Sequence, residues 1–342
     1  MQYDEVMAAL PDGPPGKYSV SPEIVDLRRL DVEQLNPILN EETACWRDEL
    51  DWDFRPSAEL IRRFVHMQAL SGFALVSRAD AARPARAPRV EGYSYFVAEE
   101  TKGLIGDIYV RRDRRPPHEF APLERALLDA TLDGLWQTPG MSRVEAQLLL
   151  LKSNFSGPGF RAYSREFLDA PLDPMLKLPA KSVRGMAITH WTDGMHDLTA
   201  RLIAAAYQSH IDSQINDQYR SVAGARRFLM NIVQFPGCGS FFAPASYAAI
   251  DTASKQLRGI SLSSKVSEFC GHITQLCVAQ SEQGTGLGYE LARHSLIALR
   301  AHGCHSVSLT VTSANDNALR LYRRMGFSNR RDFSAYVWDR SA

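Results

Sequence analysis

The pattern of apolar and polar positions along the chain predicts alternating strands and helices, and their order occurs twice. In the first half, strands are predicted at 24–30, 72–77, 92–99, 103–110 and 143–151, with helices from 31, over 56–70 and over 123–136. The second half repeats this order, with strands at 186–191, 240–250, 256–261 and 272–278 and a helix at 197–207. A repeat of about 160 residues predicts two tandem domains of similar fold.

The stretch that says most about function is a strand, a glycine-rich turn and a helix. An apolar run at 273–278 predicts the strand, Gly284, Gly286 and Gly288 follow in the turn, and helix-forming residues extend to 302. Glycines at such a turn let backbone N–H groups converge on one point, where the positive end of the helix dipole adds to their effect. The pattern therefore predicts a phosphate-binding turn.

Two familiar kinds of phosphate-binding turn do not fit. The dinucleotide fingerprint G-x-G-x-x-G is not met, because Gly284, Gly286 and Gly288 are spaced two and two. The next strand, at 305–311, also lacks the terminal acidic residue that would bind a ribose. The nucleotide-hydrolase loop requires G-K-[ST], whereas Tyr289 follows the last glycine here.

A third kind of turn does fit. Residues 283–288, QGTGLG, match Q/R-x-x-G-x-G/A, and the strand HSVSLTV, the motif N-x-x-A at 315–318 and the motif LYxxxGF at 321–327 follow in order. In these motifs the chain resembles the GNAT (N-acetyltransferase) superfamily over roughly 184–339. The resemblance implies an α/β (α+β) fold of two tandem GNAT-like domains, each a mixed, mostly antiparallel twisted sheet flanked by helices. It also implies acetyl-CoA as co-substrate and transfer of an acyl group, usually acetyl, to an amine.

The repeat is unequal in its chemistry. The segment of the first half where a phosphate turn is expected, 111–128, contains no glycine, and Pro116 and Pro117 cannot donate backbone hydrogen bonds. Its arginines, Arg111, Arg112, Arg114 and Arg115, are interpreted as a solvated loop, with attraction of an anion as the alternative. The first domain is therefore predicted to be a degenerate partner that shapes the substrate cleft or stabilises the second domain.

Proline content places the domain boundary. We divide the chain into a degenerate GNAT-like domain at 1–168, a linker at 169–183 that holds three prolines, and a catalytic GNAT domain at 184–342.

The resemblance implies which residues hold the cofactor. The pyrophosphate is expected on the backbone N–H groups of Gln283, Gly284, Thr285, Gly286, Leu287 and Gly288. The pantetheine arm is expected on the backbone of Leu276, Cys277 and Val278, with the N–H of Val278 facing the thioester oxygen. Cys277 is interpreted as a small buried residue rather than as a nucleophile. Asn315 is assigned either to the cofactor arm or to the N-cap of the following helix.

Proton transfer requires an acid and a base. Tyr322 in LYxxxGF is the candidate acid, because the superfamily commonly places a tyrosine hydroxyl there, near the CoA sulfur; packing on the pantetheine is the alternative. Histone-acetylating members carry a glutamate eleven residues before the Gln of the turn, and that position is His272 here, a residue type that titrates near neutral pH. Glu268, acting through a water, is the second candidate base, and a chain of waters with no single base is the third.

The acceptor site is expected in residues 205–242. Polar side chains of a predicted helix–loop–helix beside the amine cleft are His210, Asp212, Asn216, Asp217 and Tyr219. Asp212 and Asp217 are assigned either to binding a cationic amine or to a solvated helix face. The identity of the acceptor is left open.

Composition restricts the class of protein. The 342 residues carry a formal net charge of zero, which argues against a general binder of nucleic acid or membranes. No apolar run is long enough to cross a bilayer, and the N-terminal segment has no signal-peptide pattern. Five scattered cysteines predict reduced thiols in a cytoplasm, and nine histidines without paired-ligand spacing predict no metal.

The sequence thus predicts an acyl-CoA-dependent N-acyltransferase that moves acetyl from acetyl-CoA to a primary amine by direct attack in a ternary complex. One alternative is a CoA-binding regulatory or scaffolding protein without activity, against which the intact glycine turn and Tyr322 both argue. Another is a transferase for a longer acyl group, or for an amino acid from an activated donor. The oligomeric state is left open.

Overall fold

One continuous sheet of thirteen strands runs through both halves of the chain, within the residues that the structure describes. The computed structural model describes residues 22–77, 89–113, 115–157, 159–234, 237 and 239–340. Arg114, Cys238 and the N-terminal segment, all of which entered the sequence-based predictions, lie outside these ranges.

The strands are Glu23–Asp26 (β1), Gly72–Ser77 (β2), Arg89–Glu99 (β3), Lys102–Val110 (β4), Arg143–Gln147 (β5), Phe160–Pro171 (β6), Met186–His190 (β7), Ser240–Phe241 (β8), Tyr247–Asp251 (β9), Leu257–Lys265 (β10), Cys270–Val278 (β11), Ser306–Thr312 (β12) and Ser328–Asp339 (β13). The helices are Val32–Leu50 (α1), Arg55–His66 (α2), Phe120–Trp136 (α3), Leu172–Met175 (α4), His196–Ala206 (α5), Asp212–Ile215 (α6), Val222–Gln234 (α7), Leu287–Ala301 (α8) and Asp316–Met325 (α9).

The last strand of each half is inserted into the sheet of the other half. The strand order is β1-β2-β3-β4-β5-β13-β6-β12-β11-β10-β9-β7, with β8 paired to β10 off this path. Thus β13, from the second half, pairs with β5, and β6, from the first half, pairs with β12. The exchanged strands also pair with each other, from Phe160↔Trp338 to Asp169↔Ser328. Because the described strands are antiparallel except at β4–β5 and β11–β12, the predicted mixed, mostly antiparallel sheet is confirmed.

Helices cover both faces of this sheet. The neighbouring residues Ala74 and Leu75 of β2 point to opposite faces, as alternation along a strand requires, and each joins a different core. The core around Ala74 is shared with α1 and α2, whereas the core around Leu75 is shared with α3. In the second half, α8 and α9 cover one face, and α5 and α7 cover the other.

Close approach of a helix to the sheet occurs at matching places in the two halves. A Cβ atom on Gly103 of β4 would lie 2.5 Å from Leu135 of α3, and a Cβ atom on Gly271 of β11 would lie 2.6 Å from Leu299 of α8. A side chain at either glycine would push its helix away from the sheet. The two halves therefore repeat one packing arrangement, in agreement with the predicted tandem fold.

The exchange crosses the predicted domain boundary. The end of β6 and all of α4 lie in the predicted linker, 169–183. The division into 1–168 and 184–342 stays a proposal about the repeat in sequence, since the sheet itself spans both parts.

Two of the strands that are shorter than predicted have a physical reason. The strand predicted at 143–151 ends at Gln147, and Leu148 and Leu150 are buried in an irregular segment instead. An apolar run thus predicted burial correctly but not ladder pairing. The strand predicted at 240–250 is divided into β8 and β9 by a 3₁₀ turn, Ala243–Ala245, whose central proline cannot donate to a ladder.

The described residues contain neither a candidate membrane span nor a candidate metal site. No helix there is long and apolar enough to cross a membrane. No group of three or more histidine, cysteine, aspartate or glutamate side chains there is arranged to hold a metal ion.

A pair of carboxyl groups is buried in the core of the first half. Glu42 of α1 is fully buried, and its carboxyl oxygens accept hydrogen bonds from the Tyr93 hydroxyl at 2.5 Å and the Trp46 indole N–H at 3.1 Å. Asp107 of β4 is buried beside it, and its Oδ1 accepts from the backbone N–H of Ile108 at 2.7 Å. Burial raises the pKa of both groups, and the charge of Asp107 raises the pKa of Glu42 further. We infer that the pair holds one proton at neutral pH, because two adjacent buried carboxylates repel each other.

This pair makes stability depend on pH. Because the pKa of Glu42 in the folded state lies above its ordinary value of 4.5, stability is full below about pH 4.5 and is lost as pH rises through the folded value. The loss amounts to about 1.4 kcal/mol per pH unit while one proton is being released. We expect Asp107→Asn, which replaces the shared proton by a permanent amide donor, to flatten this loss between pH 5 and 9 in urea unfolding. Asp129→Asn, at an exposed carboxylate of α3 paired with Arg125, is the control. Equal slopes in Asp107→Asn and the wild type would contradict the shared proton.

Candidate active site

A cleft opens in the second half where two parallel strands separate. The pairing of β11 with β12 extends only over Cys270–His272, and beyond it the strands diverge. A cavity of about 500 Å³ lies there, bounded by residues 276–278 of β11, the turn at 282–288 and the cleft-facing side of α9. The structure thus brings the glycine turn, the end of β11 and the LYxxxGF motif to one site.

The glycine turn has the geometry of an anion site. Gly284 and Gly286 adopt left-handed backbone conformations, with φ of 79° and 95°, and α8 begins immediately afterwards at Leu287. Glycine adopts this conformation without strain, and the first backbone N–H groups of α8 have no partner within the helix. A Cβ atom on Gly288 would make ordinary van der Waals contacts with Val278 at 3.8 Å and Leu321 at 3.9 Å. All the predicted turn residues except Leu287, which is buried, line the cavity.

Three cations line the same cavity. Lys181 lies beside the turn, with its Cδ 3.5 Å from where a Cβ of Gly286 would stand and its ammonium 4.8 Å from the centre of the Tyr289 ring. Arg320 and Arg324 project from α9. Within the described part of the chain, none of the three forms an ion pair with a carboxylate. Sequence reasoning missed them, although the four-residue spacing of the two arginines on one helix face was a usable signal.

Tyr322 lines the cavity from α9. Its ring packs edge-on against Phe327, and burial, together with the nearby charge of Asp212, raises the pKa of its hydroxyl. The tyrosine is therefore protonated at neutral pH, as a proton donor must be.

Asn315 lines the cavity and caps α9. Its Oδ1 accepts from the backbone N–H of Ala318 at 3.2 Å, which is the N-cap alternative. Its Nδ2 lies 3.1 Å from Nε2 of His210, so the amide also links α9 to the opposite wall.

Cys277 lines the cavity but carries a neutral thiol. Burial raises its pKa to about 12, and a thiol at neutral pH is a poor nucleophile. The geometry favours the packing interpretation.

The structure does not bring His272 or Glu268 to the cleft. His272 is 4% exposed, its Nδ1 lies 2.9 Å from the Ser308 hydroxyl, and the indole of Trp52 from the first half packs edge-on against its ring at 5.1 Å. Burial lowers its pKa to about 3. Glu268 is exposed in the turn before β11, some 20–30 Å of extended chain from Cys277. Spacing along the sequence suggested His272 as the base, but it could not show that Trp52 of the first half covers the ring.

The wall opposite α9 is formed by the residues after α5. Tyr207 and His210 line the cavity, and Asp212 lies behind His210. The hydroxyl of Tyr207 accepts from Gln275 of β11 at 2.8 Å, and its ring stacks on Tyr219 at 4.5 Å. Tyr207, His210 and Asp212 form the part of the predicted acceptor region that reaches the cleft, and we call them the acceptor wall.

Asp217, another residue of the predicted acceptor region, faces the first half instead, whereas Asn216 caps its own turn by accepting from the backbone N–H of Gln218. Asp217 forms an ion pair with Lys102 of β4 at 2.6 Å, and its backbone N–H donates to Glu145 of β5 at 3.0 Å. Arg143 of β5 donates to the carbonyl of Gln214 at 2.6 Å. The first half therefore holds α6 and the turn after it, which adjoin the acceptor wall.

The corresponding place in the first half is filled by its own side chains. The three described arginines pair with carboxylates, namely Arg111 with Glu41, Arg112 with Glu49 and Arg115 with Glu91. Their side chains are only 11–17% exposed, so the prediction of a solvated loop is wrong for them. Their charge is neutralised internally, which also argues against the anion-binding alternative.

The turn into α3 is closed by a buried carboxylate. Glu124, 2% exposed, lies in the first turns of α3 and accepts hydrogen bonds from the backbone N–H groups of Lys152 at 2.9 Å and Ser153 at 2.8 Å. The degenerate state predicted for the first half therefore has a structural basis.

Comparison with known proteins shows similarity to acetyltransferases in part of the second half. Residues 223–327 match the model of the acetyltransferase (GNAT) family. N-alpha-acetyltransferase MAK3 of Arabidopsis thaliana is 37% identical over 59 residues, covering 17% of this chain and 31% of that protein. Mycothiol acetyltransferase of Actinosynnema mirum is 35% identical over 88 residues, covering 26% and 29%. The matched parts thus span less than a third of either curated relative.

Solved structures share the fold over nearly the whole chain. A GCN5-related N-acetyltransferase from Sphaerobacter thermophilus aligns with a TM-score of 0.59 and 15% identity, covering 92% of this chain and 95% of that one. A tandem GNAT protein from the clavulanic acid biosynthesis pathway aligns with a TM-score of 0.58 and 14% identity, covering 94% and 99%. Residues 223–327 thus match the acetyltransferase (GNAT) family, and nearly the whole chain shares the fold of a tandem GNAT protein.

Proposed function

We propose that this protein transfers an acetyl group from acetyl-CoA to a primary amine, by direct attack in a ternary complex within the cleft of the second half. The observation that carries the proposal is the convergence of three elements on one cavity: the glycine turn, the open edge of β11 and the buried hydroxyl of Tyr322. Each supplies something different that acyl transfer from a thioester requires.

The phosphates of acetyl-CoA belong at the turn. The backbone N–H groups around Gly284 and Gly286 and the N-terminus of α8 favour an anion there. Lys181, Arg320 and Arg324 lie along the same cavity without internal carboxylate partners among the described residues, so their charge is available to phosphate.

The pantetheine arm belongs on the backbone of residues 276–278, beside the edge that β12 leaves open. An N–H of this segment, that of Val278, is proposed to meet the oxygen of the thioester as negative charge develops on it. Side-chain identity matters little for such a contact, because the backbone makes it.

The reaction forms one bond and breaks one. The amine nitrogen bonds to the thioester carbonyl carbon, the carbon–sulfur bond breaks, and the sulfur leaves with the bonding electrons. Tyr322 is proposed to give its proton to this thiolate and to regain one from solvent. The proton that the amine loses balances the one that the sulfur gains, so no further reactant is needed.

The first half is proposed to bind no CoA and to support the acceptor wall. Its phosphate-turn position is occupied by ion pairs, and its β4 and β5 grip the segment that contains Gln214 and Asp217. These contacts are buried, since Lys102, Arg143 and Glu145 are each 6% exposed.

The turn is tested by Gly286→Val. A branched side chain at φ of 95° strains the turn and crowds the anion position, so acetyl-CoA binding measured by calorimetry should be lost. Gly303→Val is the matched control, because Gly303 has φ of 88°, open surroundings and a place at the far end of α8. Normal affinity in Gly286→Val would refute the phosphate turn. The wild type should bind one acetyl-CoA per chain, and two would refute the degenerate first half.

The acid is tested by Tyr322→Phe, which removes only the hydroxyl. We expect kcat to fall about ten- to a thousandfold, with little change in the Kd for acetyl-CoA. Tyr336→Phe removes another buried hydroxyl, one that accepts a backbone hydrogen bond in the first-half core, and controls for general loss of stability. An unaltered kcat in Tyr322→Phe would leave the tyrosine a packing residue.

The role of the first half is tested by Asp217→Asn. This change weakens the charged link to Lys102 and should raise the KM for the amine about tenfold while the Kd for acetyl-CoA stays the same. Asp197→Asn, at an exposed carboxylate paired with Arg226, is the control. An amine KM equal to that of the wild type would show that the wall does not depend on this grip.

A further inference from the structure

His210 is the titratable side chain of the acceptor wall that lines the cavity and is partly exposed. It lines the cavity together with Tyr322, and its side chain is 30% exposed. Tyr207, the other titratable residue of this wall in the cavity, has a pKa raised well above its usual range by burial. His210 is therefore the candidate proton acceptor for an amine on this wall.

The imidazole of His210 is held from three sides. The ring of Tyr207 packs edge-on against it at 5.0 Å. Oδ2 of Asp212 lies 3.6 Å from Nδ1, and Nδ2 of Asn315 lies 3.1 Å from Nε2. The three contacts come from the residue after α5, from α6 and from the start of α9, so the ring is positioned by elements on both sides of the cleft.

Asp212 gives this position a negative charge. Its side chain is 16% exposed, and its Oδ1 accepts a short hydrogen bond from the hydroxyl of Thr312. Over the residues that the structure covers, no lysine or arginine forms an ion pair with it. The unneutralised carboxylate thus stabilises a positive charge on His210 and attracts a cationic amine to the cleft.

Two contacts of His210 require different tautomers. The backbone N–H of Asp212 lies 3.2 Å from Nδ1, which would then have to accept, whereas the Asn315 amide makes Nε2 the acceptor. A neutral imidazole has one acceptor nitrogen, so both bonds cannot form together. We favour acceptance at Nε2 for two reasons. The amide of Asn315 is oriented independently by its N-cap bond to Ala318, and the N–H at Nδ1 then faces the carboxylate of Asp212.

We propose that His210 is the general base of the transfer, with Nε2 taking the proton of the acceptor and Asp212 stabilising the resulting imidazolium. The inference rests on the proposed acetyl transfer and names the acceptor as a primary amine that arrives as an ammonium ion. The ammonium replaces Nδ2 of Asn315 as donor to Nε2 and gives up one proton there. The neutral amine then attacks the thioester, and the second proton passes to solvent as the amide forms and balances the one that Tyr322 regains from solvent. His210 returns its own proton to solvent after the product leaves.

The first test is His210→Gln. We expect kcat/KM for the amine to fall about a hundredfold or more and the acidic limb of its pH profile to disappear, with the Kd for acetyl-CoA unchanged. His196→Gln, at the start of α5 and outside the cavity, is the matched control and should retain the wild-type profile. Added imidazole should restore part of the activity of His210→Ala, which a purely structural role would not allow.

The second test is the direction of a shift. The groups that face His210 are Asp212 from α6 and Tyr207, which follows α5, with Tyr322 of α9 across the cleft. Burial raises the pKa of both tyrosines, so neither hydroxyl adds a negative charge near neutral pH. Asp212→Asn should therefore move the acidic limb to lower pH, since imidazolium loses its counter-charge.

The outcomes separate this proposal from the one on which it rests. A wild type that binds acetyl-CoA but releases no thiol with any amine would overturn the transferase function itself. A transferase whose acidic limb persists in His210→Gln, without rescue by imidazole in His210→Ala, would overturn the base alone. An acidic limb that moves in His272→Gln and not in His210→Gln would return the base to β11.

Discussion

The hydrogen bonding of two exchanged strands is the constraint on which the rest of this structure depends. Without β6, the strand β12 would present a row of unpaired N–H and C=O groups, and β5 would do the same without β13. Each half therefore needs the last strand of the other. The register of β13 against its neighbours is also fixed, because a slip of one residue would turn apolar side chains such as Tyr336 and Phe333 towards the wrong cores.

The exchange of strands also brings each half into contact with the functional elements of the other. Each half places a loop over the beginning of the other half's parallel strand pair: Trp52 covers His272, and the segment with Asp217 covers Lys102. The described arginines of the first half pair with Glu41, Glu49 and Glu91, and Glu124 accepts from the backbone of residues 152 and 153. The first half keeps its part in the sheet, and its β4 and β5 hold the segment that contains Asp217. Structural dependence between the halves thus does not require that both bind a ligand.

Local signals in the sequence predicted what local physics determines. The glycine turn and the apolar end of β11 follow from backbone conformation and periodicity over a few residues, whereas Tyr322 was implied by the resemblance of LYxxxGF to the superfamily motif. The structure brings all three to one cavity. Long-range partners could not be predicted. Periodicity shows that His272 is on a strand, but not that Trp52, far away in the chain, buries it. In the same way, periodicity predicts that Asp217 lies on an exposed helical face, but it does not show that Lys102 pairs with it.

The exchange also has a consequence for the order of events during synthesis. The strand that stands between β5 and β6 is β13, which includes residues 328–339 and is made after every other described strand. On a ribosome, the first half therefore waits with β5 unpaired until the second half has emerged, and the central ladder closes last. Such a chain has long-range contacts to form late, which slows folding and leaves strand edges open to neighbouring chains in the interval. We infer that its yield in a cell depends on how that interval is shielded.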